Sequence, residues 1–333
     1  FFPGGGDLRP VQATPATVYQ AASLSKTLAA VASLWIVQHG QLTLDADVTN
    51  LQTSWKLPPG KQTAANPVTL RRLLGMTGGT NVHGFAGYAI NCTSSSCPLP
   101  TLTQILNGTN PPANNAAIQV TVTPGTQWTY SGGGYEVVHS LLQDVSGGSS
   151  YASIVQNNIL TPLNMTSSTV TIPLPNAQLA QAAAGFIAPN GQIANLWNTY
   201  PELAAAGLWT TPSDMARLLL EISVAYEGGK GAVLTQASAQ AMMTQVDSSQ
   251  YGLGGAVRNP GTNNVLFMKN GSNLGFTSWF LVYPQIGSGL VIMTNYDEDT
   301  NTPANWTNLF GSAASAAVTG LGWSNFPGLA DQG

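Results

Sequence analysis

Residues 19–40, YQAASLSKTLAAVASLWIVQHG, constrain this chain more than any other stretch. From Leu24 to Val37 most faces are apolar, so the run reads as one buried helix that begins near Ser23. Gly40 stops it, in the position where a left-handed residue commonly ends a helix. A buried helix leaves little room for a cation, yet Lys26 stands one turn into this one. An ammonium in that setting is costly unless it is paired or its pKa falls. Lys26 follows Ser23 by three residues and shares its helix face. A serine beside a desolvated amine is the minimum for a nucleophile whose proton is taken by a neighbouring base. S-x-x-K pairs also arise by chance on solvated helices. Here only 7% of the 333 residues are charged, far below the usual quarter, so Lys26 is hard to read as ordinary surface charge.

The same composition excludes several function classes. A net charge of −4, with no basic cluster beyond Arg71-Arg72, gives no electrostatic footprint for nucleic acid. No apolar run reaches the roughly 20 residues that span a bilayer, so no membrane span is expected. The start at Phe1-Phe2, without an initiator Met, reads as a processed or trimmed end. Cys92 and Cys97 are the two cysteines, in NCTSSSCP, and a small disulfide-closed loop fits an oxidising, secreted or periplasmic setting. No further Cys or His stands beside them, so no metal site is expected there.

Taken in order, the chain opens with a Gly- and Pro-rich lead-in over residues 1–18 and then the Ser23 helix. VTLRRLLGMTGG reads as a short helix ending in glycines. Residues 78–126 carry little periodicity and read as a long excursion, the kind of segment that in a compact protein is usually functional. WTYSGGGYEVVHSLLQDVSGG places a glycine-rich turn before a helix with Tyr135, Val138, Leu142 and Val145 on one side. LWTTPSDMARLLLEI has Thr211 as N-cap, Pro212 at the first helical position and Asp214 three residues after the cap. From Tyr251 the pattern turns to hairpins: YGLGGAVR, VLFMK, FTSWFLVY and LVIMTN, separated by NPGTNN and PQIGSG. Thr302-Pro303 then starts a terminal helix. This order predicts an α+β fold, an antiparallel sheet flanked by helices with a mostly helical inserted domain. The division expected is a sheet domain of residues 1–45 and 246–333 and a helical domain of residues 46–245.

Three stretches far apart in sequence carry the chemistry. They are Ser23-Leu24-Ser25-Lys26, Tyr130-Ser131-Gly132 after a Pro-Gly and before a helix, and Lys269-Asn270-Gly271-Ser272 at the end of a strand. In this order they resemble the three motifs of the serine β-lactamase and penicillin-binding protein superfamily, in the branch of class C β-lactamases, D-alanyl-D-alanine carboxypeptidases and related esterases. SLSKTLAAVASLWIVQHGQLTLDADV, LRRLLGMTGG, PGTQWTYSGGGY, AAAGLWTTPSDMARLL and GSNLGFTSWFLVYP extend the resemblance over nearly the whole chain. It implies an acyl-enzyme mechanism without a cofactor or metal. Ser23 would be the nucleophile, Lys26 would hold or relay its proton, and Tyr130 would act as general base or as shuttle to the leaving group. The oxyanion hole would be the backbone N–H groups of Ser23 and Ser272. Lys269 would attract a substrate carboxylate, Asn270 would hydrogen-bond at the rim, and Gly271 would let the strand edge approach the substrate. His83, in GGTNVHGF, would line the cleft. No G-x-S-x-G elbow is present, which argues against a Ser-His-Asp triad built from His39, His83 or His139.

Two departures from the family pattern matter. The β-lactamase form of the second motif has Asn two residues after the tyrosine, where its amide binds an acylamino group; Gly132 stands there. That shifts the expectation towards an esterase or peptidase acting on a small ester, amide or peptide. A β-lactamase, a D-alanyl-D-alanine carboxypeptidase, or a slow covalent penicillin-binding module with little turnover are the alternatives. The second departure is at the start, where a helix and a strand hairpin usually precede the nucleophile helix but only 22 residues do here. The sheet would then keep an unpaired edge, expected to be short, covered by residues 1–18 or another N-terminal segment, or paired with a second chain.

Overall fold

The computed structural model describes residues 12–90, 97–187, 191–297 and 304–322. The architecture is α+β. Its sheet is antiparallel, with strands in the order Ala256–Arg258, Leu266–Asn273, Phe276–Tyr283 and Ser288–Thr294. Phe276–Tyr283 is buried along its whole length. Its alternate residues therefore serve two apolar layers, as the two-residue period of a strand requires. Phe267, Phe280 and Val282 join the large core that includes the Ser23 helix and the Pro212–Tyr226 helix. Leu266, Trp279, Leu281 and Tyr283 face the other way, onto Phe310 and Ala314 of the Ala304–Leu321 helix. Each large side chain buried in these layers contributes about 1.5–3 kcal/mol.

The buried helix expected from sequence spans Ser25–Gln38, and Lys26 is among its buried residues. Ser23 itself lies in a preceding 3₁₀ turn, Ala22–Leu24, a tighter turn than the periodicity suggested. The Gly132–Val145 helix packs on it from the helical side, together with the four-residue helix Leu203–Ala206. Thr211 caps Pro212–Tyr226 as predicted, its side chain accepting the Asp214 N–H at 3.1 Å.

Two elements differ from the sequence reading. Residues 78–126 contain the helix Leu102–Asn107, opened by a capping box between Thr101 and Gln104. Of the segment YGLGGAVR only Ala256–Arg258 is strand, because Gly254 turns to φ +86° where the chain crosses the Ser25–Gln38 helix. A Cβ at Gly254 would lie 2.7 Å from the Ala30 Cβ. The crossing is fixed by the Thr27 hydroxyl, which donates to the Gly254 carbonyl at 2.8 Å.

Among the described residues, Ser288–Thr294 pairs on one side only. It is seven residues long. The described part of the lead-in does not cover it: Val18 bonds to Gln181 and Ala183, and Tyr19–Gln20 pairs with Trp209–Thr210. Residues 1–11 lie outside the described residues. So does Cys92, one half of the expected disulfide, while Cys97 is not a free thiol.

Candidate active site

Ser23 stands where the two-residue strand Tyr19–Gln20 turns into the buried helix. The turn requires Ala22 at φ +49°, a conformation that costs a residue with a side chain about 1–2 kcal/mol. Surrounding bonds hold it there. The Ser25 hydroxyl donates to the Ala22 carbonyl at 2.6 Å and accepts the Leu208 N–H at 3.0 Å. On the sheet side, the Ser278 hydroxyl donates to the Ala21 carbonyl at 2.7 Å. Gly271 lies opposite Ser278 in the register, and a Cβ on it would fall 2.7 Å from Ala21 O, Ser23 N and Ser278 Oγ alike. The missing side chain is what lets the strand edge and the Ser23 amide share one small space.

Lys26 reaches back one turn. Its Nζ donates to Ser23 Oγ at 3.0 Å and to the Ala205 carbonyl at 2.8 Å. Burial pulls its pKa from 10.5 down to about 7, with the charge of Glu136 acting in the opposite sense. Tyr130 arrives from the helical side and its OH donates to the same Ser23 Oγ at 2.6 Å. An amine and a phenol from two distant segments thus meet at one serine oxygen.

The position of Tyr130 follows from the residues after it. Ser131 caps the Gly132–Val145 helix by accepting the Gly134 N–H at 2.9 Å, and its hydroxyl is held between Thr80 and the Asn81 carbonyl. The Asn81–Phe85 loop lies directly on this helix start, with Gly132 N–H donating to His83 O and Gly133 N–H to Val82 O, each at 2.9 Å. Side chains are excluded there. A Cβ at Gly132 would be 3.0 Å from the Phe85 ring, so this ring stands where an asparagine side chain would have to grow.

Lys269 is buried at 4% exposure, its Nζ donating to the Asn270 carbonyl at 2.7 Å and lying 5.1 Å from the centre of the Tyr130 ring. Burial lowers its pKa, the Tyr130 side chain raises it and Lys26 lowers it further. Asn270 is exposed at the strand edge, and Ser272 follows Gly271 on that edge, opposite Thr277. His83 is exposed, and its Nδ1 is 2.6 Å from the Tyr130 carbonyl, so it braces the Tyr130 backbone from outside. His39 stacks on Trp35, and His139 is buried against Glu136, both away from Ser23 Oγ. Among the described residues no cluster of His, Cys, Asp or Glu fits a metal ion.

A cavity of about 640 Å³ opens beside the site, with Tyr130, Lys269 and Asn270 among its lining residues. Trp128, Tyr251, Trp279 and Phe310 give it aromatic surfaces, and Arg258 also lines it. Sequence reasoning missed Phe85, Ala205 and Glu136. Phe85 and Ala205 carry no signal of their own. Glu136 did, since an acid within a run that is buried from Gly132 to Leu142 is as anomalous as Lys26 is in its helix.

The geometry brings a serine, a buried lysine and a tyrosine into hydrogen-bond contact on a sheet-and-helix scaffold of the penicillin-binding-protein type. The chain belongs to the Beta-lactamase family, whose model matches residues 4–313. It is 24% identical to Protein flp of Staphylococcus aureus strain N315 over 302 residues, 87% of this chain and 55% of that protein. The chain thus spans about half the length of the curated relatives it matches. The octameric penicillin-binding protein homologue from Pyrococcus abyssi has a similar fold, with TM-score 0.69 and 22% identity over 92% of this chain and 67% of that one. The D-amino acid amidase from Ochrobactrum anthropi SV3 superposes with TM-score 0.65 and 20% identity, covering 86% of this chain and 79% of that one.

Proposed function

We propose that this chain is a serine hydrolase that cleaves an ester or amide through an acyl-enzyme on Ser23. The observation that carries the reading is the double contact at Ser23 Oγ, 3.0 Å from Lys26 Nζ and 2.6 Å from the Tyr130 OH. An amine held near pH 7 can take the serine proton as Oγ attacks a carbonyl carbon. The negative oxygen that develops would be met by the Ser23 and Ser272 N–H groups, beside Gly271, whose missing side chain lets the strand approach the Ser23 amide. Tyr130, bonded to the same oxygen, would pass the proton on to the leaving group. Water attack on the ester of Ser23 then returns the free enzyme.

The leaving group must come within hydrogen-bond reach of the Tyr130 OH, and Tyr130 forms part of the aromatic cavity wall. That cavity suits an apolar or aromatic leaving group, with Arg258 and Lys269 favouring one that also carries a carboxylate. On the motif's other side Phe85 fills the place of the amide that binds an acylamino group, which supports an esterase or amidase over a β-lactamase. The buried Lys269 favours a second reading within the same mechanism, a carboxypeptidase acting on D-alanyl peptides. The Cys92–Cys97 bridge and an extracytoplasmic location belong to the same proposal. An intact mass two hydrogens lighter before reduction than after it tests the bridge.

Turnover of a p-nitrophenyl ester, a D-amino-acid amide, a D-alanyl dipeptide and a chromogenic cephalosporin, with Ser23→Ala as control, tests the reading. The account expects turnover of the ester or amide that Ser23→Ala abolishes, and slow or no cephalosporin hydrolysis. A stoichiometric burst without turnover would replace the hydrolase by a slow covalent binder. Equal rates in wild type and Ser23→Ala would overturn the mechanism.

A further inference from the structure

Below Lys26 lies a buried carboxylate that the chemistry above does not use. Glu136 is fully buried on the Gly132–Val145 helix. It accepts the Ala205 N–H at 2.9 Å through Oε1, and its Oε2 lies 2.9 Å from His139 Nδ1. The carbonyl of the same Ala205 accepts Lys26 Nζ at 2.8 Å. One residue of the short Leu203–Ala206 helix is therefore clamped from both sides, its N–H by the carboxylate and its C=O by the amine.

We propose that Glu136 is a positioning residue for Lys26: it fixes Ala205, whose carbonyl aims the amine at Ser23 Oγ, and it supplies the buried negative charge that balances the ammonium form. The inference rests on the assignment of Lys26 as the group that handles the Ser23 proton. Other charged or titratable groups around the amine are few. Tyr130 and Tyr135 present their rings at 5.1 and 5.8 Å, and Lys269 faces it from the sheet and opposes its charge. Behind Glu136 stand His139, Tyr151 against the His139 ring, and Glu202 at the start of the Leu203–Ala206 helix. Glu202 is buried with both carboxylate oxygens lacking a hydrogen-bond partner. Burial, with the charge of Glu136 adding to it, pushes Glu202 up to about 8. Glu136, unlike Glu202, has a partner for each of its carboxylate oxygens. With Glu136 charged, its field favours the ammonium of Lys26 against desolvation.

The test is a direct titration of Lys26 by ¹³Cε NMR, practicable because the chain has only five lysines, at positions 26, 56, 61, 230 and 269. Glu136→Gln keeps an oxygen for the Ala205 N–H and removes the charge. The Lys26 midpoint should fall by about one pH unit or more, and the acid limb of kcat/KM should move down with it. Glu136→Asp keeps the charge but withdraws it, and should move the midpoint the same way by less while lowering kcat. Glu202→Gln should leave the midpoint in place, because burial and the charge of Glu136, not Glu202, set the Lys26 pKa. An unchanged Lys26 midpoint in Glu136→Gln overturns the proposal. Should that variant not fold, an unchanged midpoint and kcat in Glu136→Asp overturns it equally. The titration needs no substrate, so its failure is separate from a failure of the hydrolase reading.

Discussion

Replacing Lys26 by Met should inactivate the protein and make it more stable at neutral pH. Lys26 titrates at about 10.5 in the unfolded chain and about 7 in the folded one. Between those values the unfolded state binds more protons, so stability rises with pH across that window and is lost as pH falls towards 7. Three and a half pH units at 1.36 kcal/mol each make the buried amine cost about 5 kcal/mol near pH 7 and below. Met has similar length and no charge, and removes this term. It also removes the donor to the Ala205 carbonyl, and an unpaired buried carbonyl costs about 1–3 kcal/mol. The net gain is on the order of 2 kcal/mol at pH 6–7. With an unfolding entropy of about 2.1 cal/mol/K per residue over 333 residues, Tm should rise by about 3 °C. At pH 9.5 the amine costs only about 1.4 kcal/mol, so the gain should vanish or reverse. Urea midpoints and Tm of wild type and Lys26→Met at pH 6.5 and 9.5, with esterase rates alongside, check this. A variant less stable than wild type at pH 6.5, or a gain that persists at pH 9.5, would refute the buried, downshifted amine.

Other outcomes follow from the same contacts. Glu202→Gln should stabilise the protein increasingly as pH rises from about 4.5 and level off above about 8, because the wild-type carboxyl is held up to about 8 on folding and loses stability over that range; urea midpoints across pH 4–9 test it. Tyr130→Phe removes the 2.6 Å contact to Ser23 Oγ and should lower kcat by about 10²–10⁴ with little change in Tm. Gly271→Ala places a Cβ 2.7 Å from the Ser23 amide and the Ala21 carbonyl, so kcat should fall by about 10²-fold or more through the disturbed oxyanion space, read by steady-state kinetics.

The sequence made the buried helix legible because its apolar run is long and Lys26 interrupts it. The strand Phe276–Tyr283 was legible because β-branched and aromatic residues fill it, and Leu266–Asn273 was legible only in its apolar first half, Leu266-Phe267-Met268. The helix Leu102–Asn107 was missed although Thr101 and Gln104 spell a capping box, since six residues are too few to show a period. At the site, Ser23, Lys26 and Tyr130 could be picked out by motif, but their meeting at one oxygen depends on a turn with Ala22 at positive φ that no propensity announces. Phe85 and Ala205 act through a ring position and a backbone carbonyl. Those are properties of the folded chain, invisible in residue type. Sequence order also gave no sign of where the described part of the lead-in goes, since residues 14–20 are drawn to Gln181–Ala183 and Trp209–Thr210.

The central claim is that Ser23 Oγ becomes acylated, and mass spectrometry reads this directly. Wild-type protein mixed with a fluorophosphonate or a slowly released ester should gain one adduct, mapped by peptide digestion to Ser23, and Tyr130→Phe and Lys26→Met should label far more slowly. An adduct on any other residue, or turnover that continues with Ser23 unlabelled throughout, would contradict the account.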